Sequence, residues 1–192
     1  MKNSEQPFIF VGNNLAIDFI NTQVTNRGEM IDFLSDSQDL ICWADAAKLD
    51  LDESLDIQHT FKECLELRGA LRRVFTAVLD AQSVPQNALN TINQHLLNHK
   101  NQRELISVGG ELELRSIYKN LSAERLLGLI ANKAACLLES IQLKKLKKCA
   151  NTNCILFFVD TSKSGRRRWC SMDVCGNRSK AANHYTSSKR RS

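Results

Sequence analysis

No run of about 18 uninterrupted apolar residues occurs in the chain, so no segment has the make-up of a membrane-spanning helix. The opening Met1-Lys2-Asn3-Ser4-Glu5-Gln6-Pro7 carries an acid and leads into a short apolar run broken by Gly12-Asn13-Asn14. That is not the build of a secretory signal, and a cytoplasmic location is expected. A phosphate loop of the Gly-x-x-x-x-Gly-Lys type is missing, and so are the serine elbow and the dinucleotide fingerprint. His95-Leu-Leu-Asn-His99 sets two imidazoles one helical turn apart, but no glutamate stands between them. The zinc-protease pattern therefore fails, and both histidines read as surface residues. No internal repeat occurs, and no Gly, Ser or Pro linker divides the chain. These absences favour a chain that binds rather than catalyses.

What is present is unevenly distributed. The 192 residues are 43% hydrophobic and 24% charged, which suffices for a core and argues for one domain plus a small module. Residues 1–143 hold 13 Lys+Arg against 19 Asp+Glu, a net −6, whereas residues 144–192 hold 13 against 2, a net +11. Opposite signs in the two parts imply two jobs. The seven cysteines divide at the same place: Cys42, Cys64 and Cys136 are isolated and read as small buried hydrophobes. Cys149, Cys154, Cys170 and Cys175 form two pairs of equal internal spacing. An odd total argues against a secreted disulfide framework, and in a reducing compartment the paired set reads as metal ligands.

Periodicity outlines the first part as mostly helical. Phe8-Ile9-Phe10-Val11 is strand-like, and Leu15–Thr22 fits a strand or a buried helical turn equally well. Helices are expected from Ser37 to about Lys48, from Leu55 to about Ala81, after a Ser83-Val84-Pro85-Gln86 capping box to about Asn98, and from Ser122 to roughly Lys147. The lysines 144, 145, 147 and 148 would suit the negative end of the last helix, which would deliver the chain directly into the cysteine module. Gly109-Gly110 between Leu105–Val108 and Leu112–Ser116 is a two-residue hairpin signature.

In the basic part, two close cysteine pairs suit tetrahedral zinc, one ion per chain. Ile155–Asp160 reads as a strand, Thr161–Gly165 as a turn and Arg166–Cys170 as the return strand. Ser171 or Asp173 can cap a helix whose first turn carries Cys175. Knuckle, hairpin and a ligand from a helix start make a treble-clef arrangement, so the fold class expected is α+β. A segment this short with few large apolar residues depends on the metal, which contributes roughly 10 kcal/mol or more in such modules.

These residues carry a resemblance. Cys149-Ala150-Asn151 to Cys154, Gly165-Arg166-Arg167-Arg168-Trp169-Cys170 and Cys175-Gly176-Asn177-Arg178 resemble the CGNR zinc finger. Phe10-Val11-Gly12 with Leu15–Thr22 is similar to the ABATE domain that accompanies this finger in bacteria. The resemblance implies a stress-induced transcription regulator, with residues 1–147 as a ligand-sensing domain and 148–192 as a DNA-binding finger with a basic tail.

Four thiolates and one Zn²⁺ together add −2, so the basic part keeps +9 and its attraction for phosphates. Lys163, Arg166, Arg167, Arg168, Asn177, Arg178, Lys180 and His184 are the candidate nucleic-acid contacts. In the return strand Arg166 and Arg168 face one way and Arg167 and Trp169 the other, so only one pair can lie against a core. Arg178 could instead bond backbone carbonyls, and Asn177 could bond its own loop. Gly176 would let backbone approach the metal. Asp18, Asn21 and Trp43 either line a pocket for a small-molecule effector or tie down backbone and fill the core. A homodimer is compatible with the sequence. The competing functions are a zinc-stabilised adaptor for proteins and an enzyme with its pocket in the N-terminal domain.

Overall fold

The computed structural model describes residues 8–26, 28–52, 57–100 and 103–181. Along them run α1 (Leu15–Ile20), a hairpin of β1 (Gln23–Asn26) and β2 (Glu29–Asp32), α2 (Ser37–Ala46), α3 (Ile57–Leu79) and α4 (Gln86–Leu96). Then come a hairpin of β3 (Arg103–Val108) and β4 (Glu111–Ser116), α5 (Ala123–Glu139), a 3-10 turn (Ile141–Lys145), and β5 (Leu146–Lys148) paired antiparallel with β6 (Phe157–Val159). The mixed, mostly helical architecture is the one expected. No helix among the described residues is long and apolar enough to cross a membrane.

The core follows the helical period. On α3, Cys64, Leu67, Leu71, Val74 and Phe75 recur at three- and four-residue steps and are buried. On α5, Leu126, Leu127, Ile130, Ala134 and Leu137 do the same, and α1 packs against both helices. The ambiguous Leu15–Thr22 stretch resolves as helix because Asn14 caps it: its Oδ1 accepts the Ala16 N–H at 2.9 Å. Ahead of the cap the chain must come close to α1. A Cβ at Gly12 would lie 2.6 Å from the Ile17 methyl, and Asn13 sits at φ 57°.

Several local expectations fail for identifiable reasons. α5 stops at Glu139 rather than near Lys147, because Ser140 turns extended (ψ 158°) and its hydroxyl bonds both the Leu137 carbonyl and the Gln142 N–H. Lysines 147 and 148 consequently lie on a strand. The Ser83–Gln86 box does not form: α4 begins at Gln86 itself, and Gln86 donates to Asn90 instead. Asp36, one residue before Ser37, caps α2. Phe8–Val11 joins no sheet, and the β1–β2 hairpin was not anticipated. The start expected for α3 at Leu55 lies outside the described residues.

The strand β6 divides two apolar clusters. Side chains alternate across a strand, so Phe157 and Val159 enter the helical core, whereas Leu156 and Phe158 join a second cluster with Cys149, Cys170 and Cys175. Asn21 on the α1 side pairs with the strand edge as another backbone would: its Nδ2 donates to the Phe157 carbonyl at 2.9 Å, and its Oδ1 accepts the Phe157 N–H at 3.0 Å. Val159 N–H donates to the Gly12 carbonyl at 2.9 Å, and Asn13 Nδ2 to the Val159 carbonyl at 2.9 Å. Arg72 lies 5.6 Å over the Phe157 ring and donates to the carbonyls of Ile20 and Ile155.

Replacing Asn21 with Ala leaves the Phe157 N–H and C=O both buried and unpaired, at a cost of about 2–4 kcal/mol. Asn21→Asp keeps only the acceptor and should also destabilise at neutral pH. Urea unfolding followed by circular dichroism measures both, and an unchanged midpoint in either variant rules out the clamp.

Candidate metal centre and its basic surroundings

Cys149 follows β5 directly and Cys154 precedes β6, so the β5–β6 pairing itself builds the first knuckle. Cys149 N–H donates to the Leu156 carbonyl at 2.9 Å and Cys154 N–H to the Asn151 carbonyl at 2.9 Å, closing a tight loop that Asn151 Oδ1 braces through the Asn153 N–H. This corrects the expected hairpin: β6 pairs with β5, and residues 166–170 form no strand. The return segment still touches the knuckle, since Ala150 N–H donates to the Arg168 carbonyl at 2.8 Å and Cys170 N–H to Cys149 Sγ at 3.4 Å. Ser171 then caps a wide helical turn, Met172–Gly176, through the Val174 N–H and carries Cys175 inward.

The four sulfurs lie within 4.8 Å of one another, Cys154–Cys170 at 3.8 Å and Cys170–Cys175 at 3.5 Å. Those separations are far beyond a disulfide bond of about 2.05 Å. They match the edge of about 3.8 Å that a tetrahedron of Zn–S bonds of about 2.3 Å requires. The thiols of the cluster do not titrate alike. Hydrogen bonds from the Cys154 and Cys170 thiols hold the Cys149 thiol far below its usual range. Sharing the proton with Cys149 pushes Cys154 and Cys170 upward. Cys149 thus favours the thiolate while Cys154 and Cys170 favour the thiol, so binding a metal through the latter two must release protons.

A second set of polar groups holds the loop after β6. The Lys147 ammonium donates to Asp160 Oδ2 (2.6 Å), the Gly165 carbonyl (2.7 Å) and the Arg167 carbonyl (3.1 Å). The Lys147 cation, aided by the Ser162 hydroxyl, holds the Asp160 carboxyl well below the usual carboxylate range. Asp160-Thr161-Ser162 belongs to the stretch that resembles the CGNR zinc finger, whereas Lys147 reads in the sequence only as a helix-end cation, because its partners lie on backbone brought together by the turn.

The candidate nucleic-acid residues separate into two groups. Lys163, Arg166, Arg168, Asn177, Arg178 and Lys180 are exposed. Arg167 is not a surface contact. Its guanidinium donates to the carbonyls of Val11 (3.0 Å), Trp169 (3.1 Å) and Cys170 (2.5 Å) and lies 4.2 Å over the Phe158 ring. The alternation read from the sequence is therefore present, with Arg167 on the inner side. Asn177 Nδ2 bonds the Asp173 carbonyl, the local reading, and His184 lies outside the described residues. A Cβ at Gly176 would strike the Met172 thioether, 2.5 Å away, and not a cysteine, so the close approach is to that side chain.

The proposed effector pocket does not form from its three residues. Trp43 is fully buried beside Phe19, ring centroids 5.1 Å apart, and Asn21 is the strand clamp. Asp18 accepts the Gly12 N–H at 2.7 Å, and burial raises its pKa to about 6, partly opposed by the bonds from Gly12 and Val11. Of the paired histidines, His95 is buried rather than superficial, and burial lowers its pKa.

Two measurements follow from this geometry. Cys154→Ser should drop bound zinc from one per chain to none by mass spectrometry, with faster amide exchange at Phe157 and Val159 while α3 and α5 keep theirs; retained metal would exclude the assignment. Asp18 should titrate near pH 6 by carboxyl-carbon NMR. Its folded pKa lies above the unfolded value of 3.8, so its ionisation costs the folded state nothing below pH 4, then up to about 3 kcal/mol as the pH rises past 6. A midpoint near pH 4 contradicts this.

Known families match both parts of the chain. The CGNR zinc finger matches residues 145–187. The ABATE domain, described as a putative stress-induced transcription regulator, matches residues 13–140. Comparison with curated proteins gave no match. With its longer match covering residues 13–140 of 192, and four cysteines set for one metal ion in the shorter one, the chain belongs to the ABATE family and carries a CGNR zinc finger.

Proposed function

We propose that the protein is a DNA-binding transcription regulator of the cytoplasm, whose zinc-organised finger grips the phosphate backbone and whose helical domain modulates that grip. The observation that carries the reading is the exposed set Lys163, Arg166, Arg168, Arg178 and Lys180 on a finger that keeps a strong positive charge after metal loading. Phosphate contacts dominate nucleic-acid affinity and need only a fixed array of cations, which the cysteine cluster and the Lys147–Asp160 tie provide. Modulation by the helical domain is supported by the shared strand: a ligand that displaces α1 would pull on Phe157 through Asn21 and on Val159 through Gly12. No catalytic step belongs to this reading.

Five phosphate contacts give a log–log salt slope of about −4 to −5 for duplex binding. Lys163→Ala with Arg166→Ala should flatten that slope by about 2 and leave thermal stability unchanged. Arg167→Ala, by contrast, should lower stability, because hydrogen bonds made by a charged group contribute about 1.5–3 kcal/mol. Zinc-loaded protein that ignores duplex at low salt, yet captures acidic proteins, would make the finger an adaptor and end the DNA reading.

A further inference from the structure

A cleft of about 500 Å³ lies between the end of α3 and β5, lined among others by Leu79, Asp80, Lys147, Lys148, Ala150 and Arg168. Its cations are not equivalent. All three ammonium hydrogens of Lys147 have acceptors in its own loop. Arg168 is exposed and lies 5.3 Å over the Trp169 ring, and among the described residues it meets no carboxylate. Lys148 points its ammonium at both oxygens of Asp80, at 2.9 and 2.8 Å.

We propose that this cleft is a phosphate-binding site with Lys148 and Arg168 as its donors, and that the Asp80 carboxylate holds the place of the phosphate until one arrives. The inference rests on the nucleic-acid reading above and deepens it, adding a contact outside the residues first assigned to the interface. Two oxygens of a carboxylate present to one ammonium what two non-bridging phosphate oxygens would present. The exchange is easy, because Lys148 and Asp80 are 40% and 41% exposed, and such surface pairs contribute little. Asp80 also follows the last residue of α3, where the helix end is already negative, so its carboxylate competes with an incoming phosphate for the Lys148 cation and limits the gain of the exchange.

Both donors belong to the finger. Lys148 immediately precedes Cys149, and Arg168 is tied to the knuckle by its carbonyl bond from Ala150. Asp80 belongs to the helical domain. The internal competitor and the donors thus stand on different parts of the chain, and any movement of α3 relative to β5 changes how available Lys148 is. Lys148 keeps a second support, the Phe157 ring 6.0 Å from its ammonium, when Asp80 is displaced.

The test uses the zinc-loaded full chain with a random duplex, read by fluorescence anisotropy over a salt series. Asp80→Asn should tighten binding about two- to fivefold, the inverse of a surface ion pair. Lys148→Ala should weaken it and flatten the salt slope by about 0.9. In the Lys148→Ala background, Asp80→Asn should do nothing. Glu111→Gln, at the tip of the distant β3–β4 hairpin, controls for net charge. An equal gain from Glu111→Gln, or a gain from Asp80→Asn that survives without Lys148, overturns the proposal. So does duplex binding that neither Asp80 nor Lys148 affects, although the DNA reading would then stand. A parallel calorimetric titration with inorganic pyrophosphate separates the sources of phosphate. If duplex is ignored while pyrophosphate binding depends on Lys148, the site is upheld for a small phosphorylated ligand and the DNA reading falls. If neither probe binds, both fall.

Discussion

One strand of three residues carries the architecture. β6 is short, yet it closes the knuckle that bears Cys149 and Cys154, supplies Phe157 and Val159 to the helical core, and supplies Phe158 to the cluster around the sulfurs. A strand with apolar side chains on both faces cannot be stabilised by one neighbour alone. Its outer edge also presents backbone groups that must be paired once buried. Asn21, Asn13 and the Gly12 carbonyl satisfy that edge from the α1 side, as a third strand would. Metal binding and the packing of α1 therefore act on the same few residues, and neither can change without the other being felt.

The same constraint explains which arginine is used where. Arg167 is the residue of the return segment turned toward Phe158, and its guanidinium finds three carbonyls there, one at Val11 on the N-terminal strap of residues 8–13 and one on a metal ligand. A planar, permanently charged fork suits that task better than a lysine would. Arg166 and Arg168, one step either way, are turned outward by strand-like alternation alone, although the segment pairs in no sheet. Charge on the finger is thus divided by geometry into cations that hold its shape and cations left for a partner.

Much of this was legible in the sequence. The equal spacing of the two cysteine pairs announced the metal centre, the apolar period of residues 57–79 gave α3, and Gly109-Gly110, at φ 60° and 89°, marked a turn that needs two left-handed residues. What escaped depended on distant partners. Asn21 reads as a polar group among apolar neighbours whether it lines a pocket or clamps a strand, and the deciding residue, Phe157, lies 136 positions away. The lysines after α5 fit a helix terminus as well as a strand, and only the bonding of Ser140 shows where the helix stops. β1 and β2 are four residues each, with β2 largely exposed, too short for alternation to register. Asp160 reads in the sequence as the end of a strand, and only the turn that brings Lys147 to it shows its partner.

Asp18 shows what the arrangement costs. An acid whose pKa rises toward 6 is held at a loss near neutral pH, and a buried asparagine or serine could have accepted the Gly12 N–H without that penalty. The carboxylate has two oxygens to offer, and bonds from both Gly12 and Val11, together with the charge of Arg167, lower its pKa against the larger effect of burial. Those groups belong to the stretch that meets β6: Gly12 accepts from Val159, and Val11 accepts from Arg167. The strap joins no sheet, but Ile9 and Val11 pack on the cluster around the sulfurs and Phe8 meets the Phe33 ring edge-on at 6.3 Å, so the acid adds to contacts that already hold it. An ionised acid beneath it orders the strap at the expense of overall stability, and so keeps the edge of β6 occupied. The protein accepts a local penalty in α1 where the order gained is that of the strand shared with the metal centre.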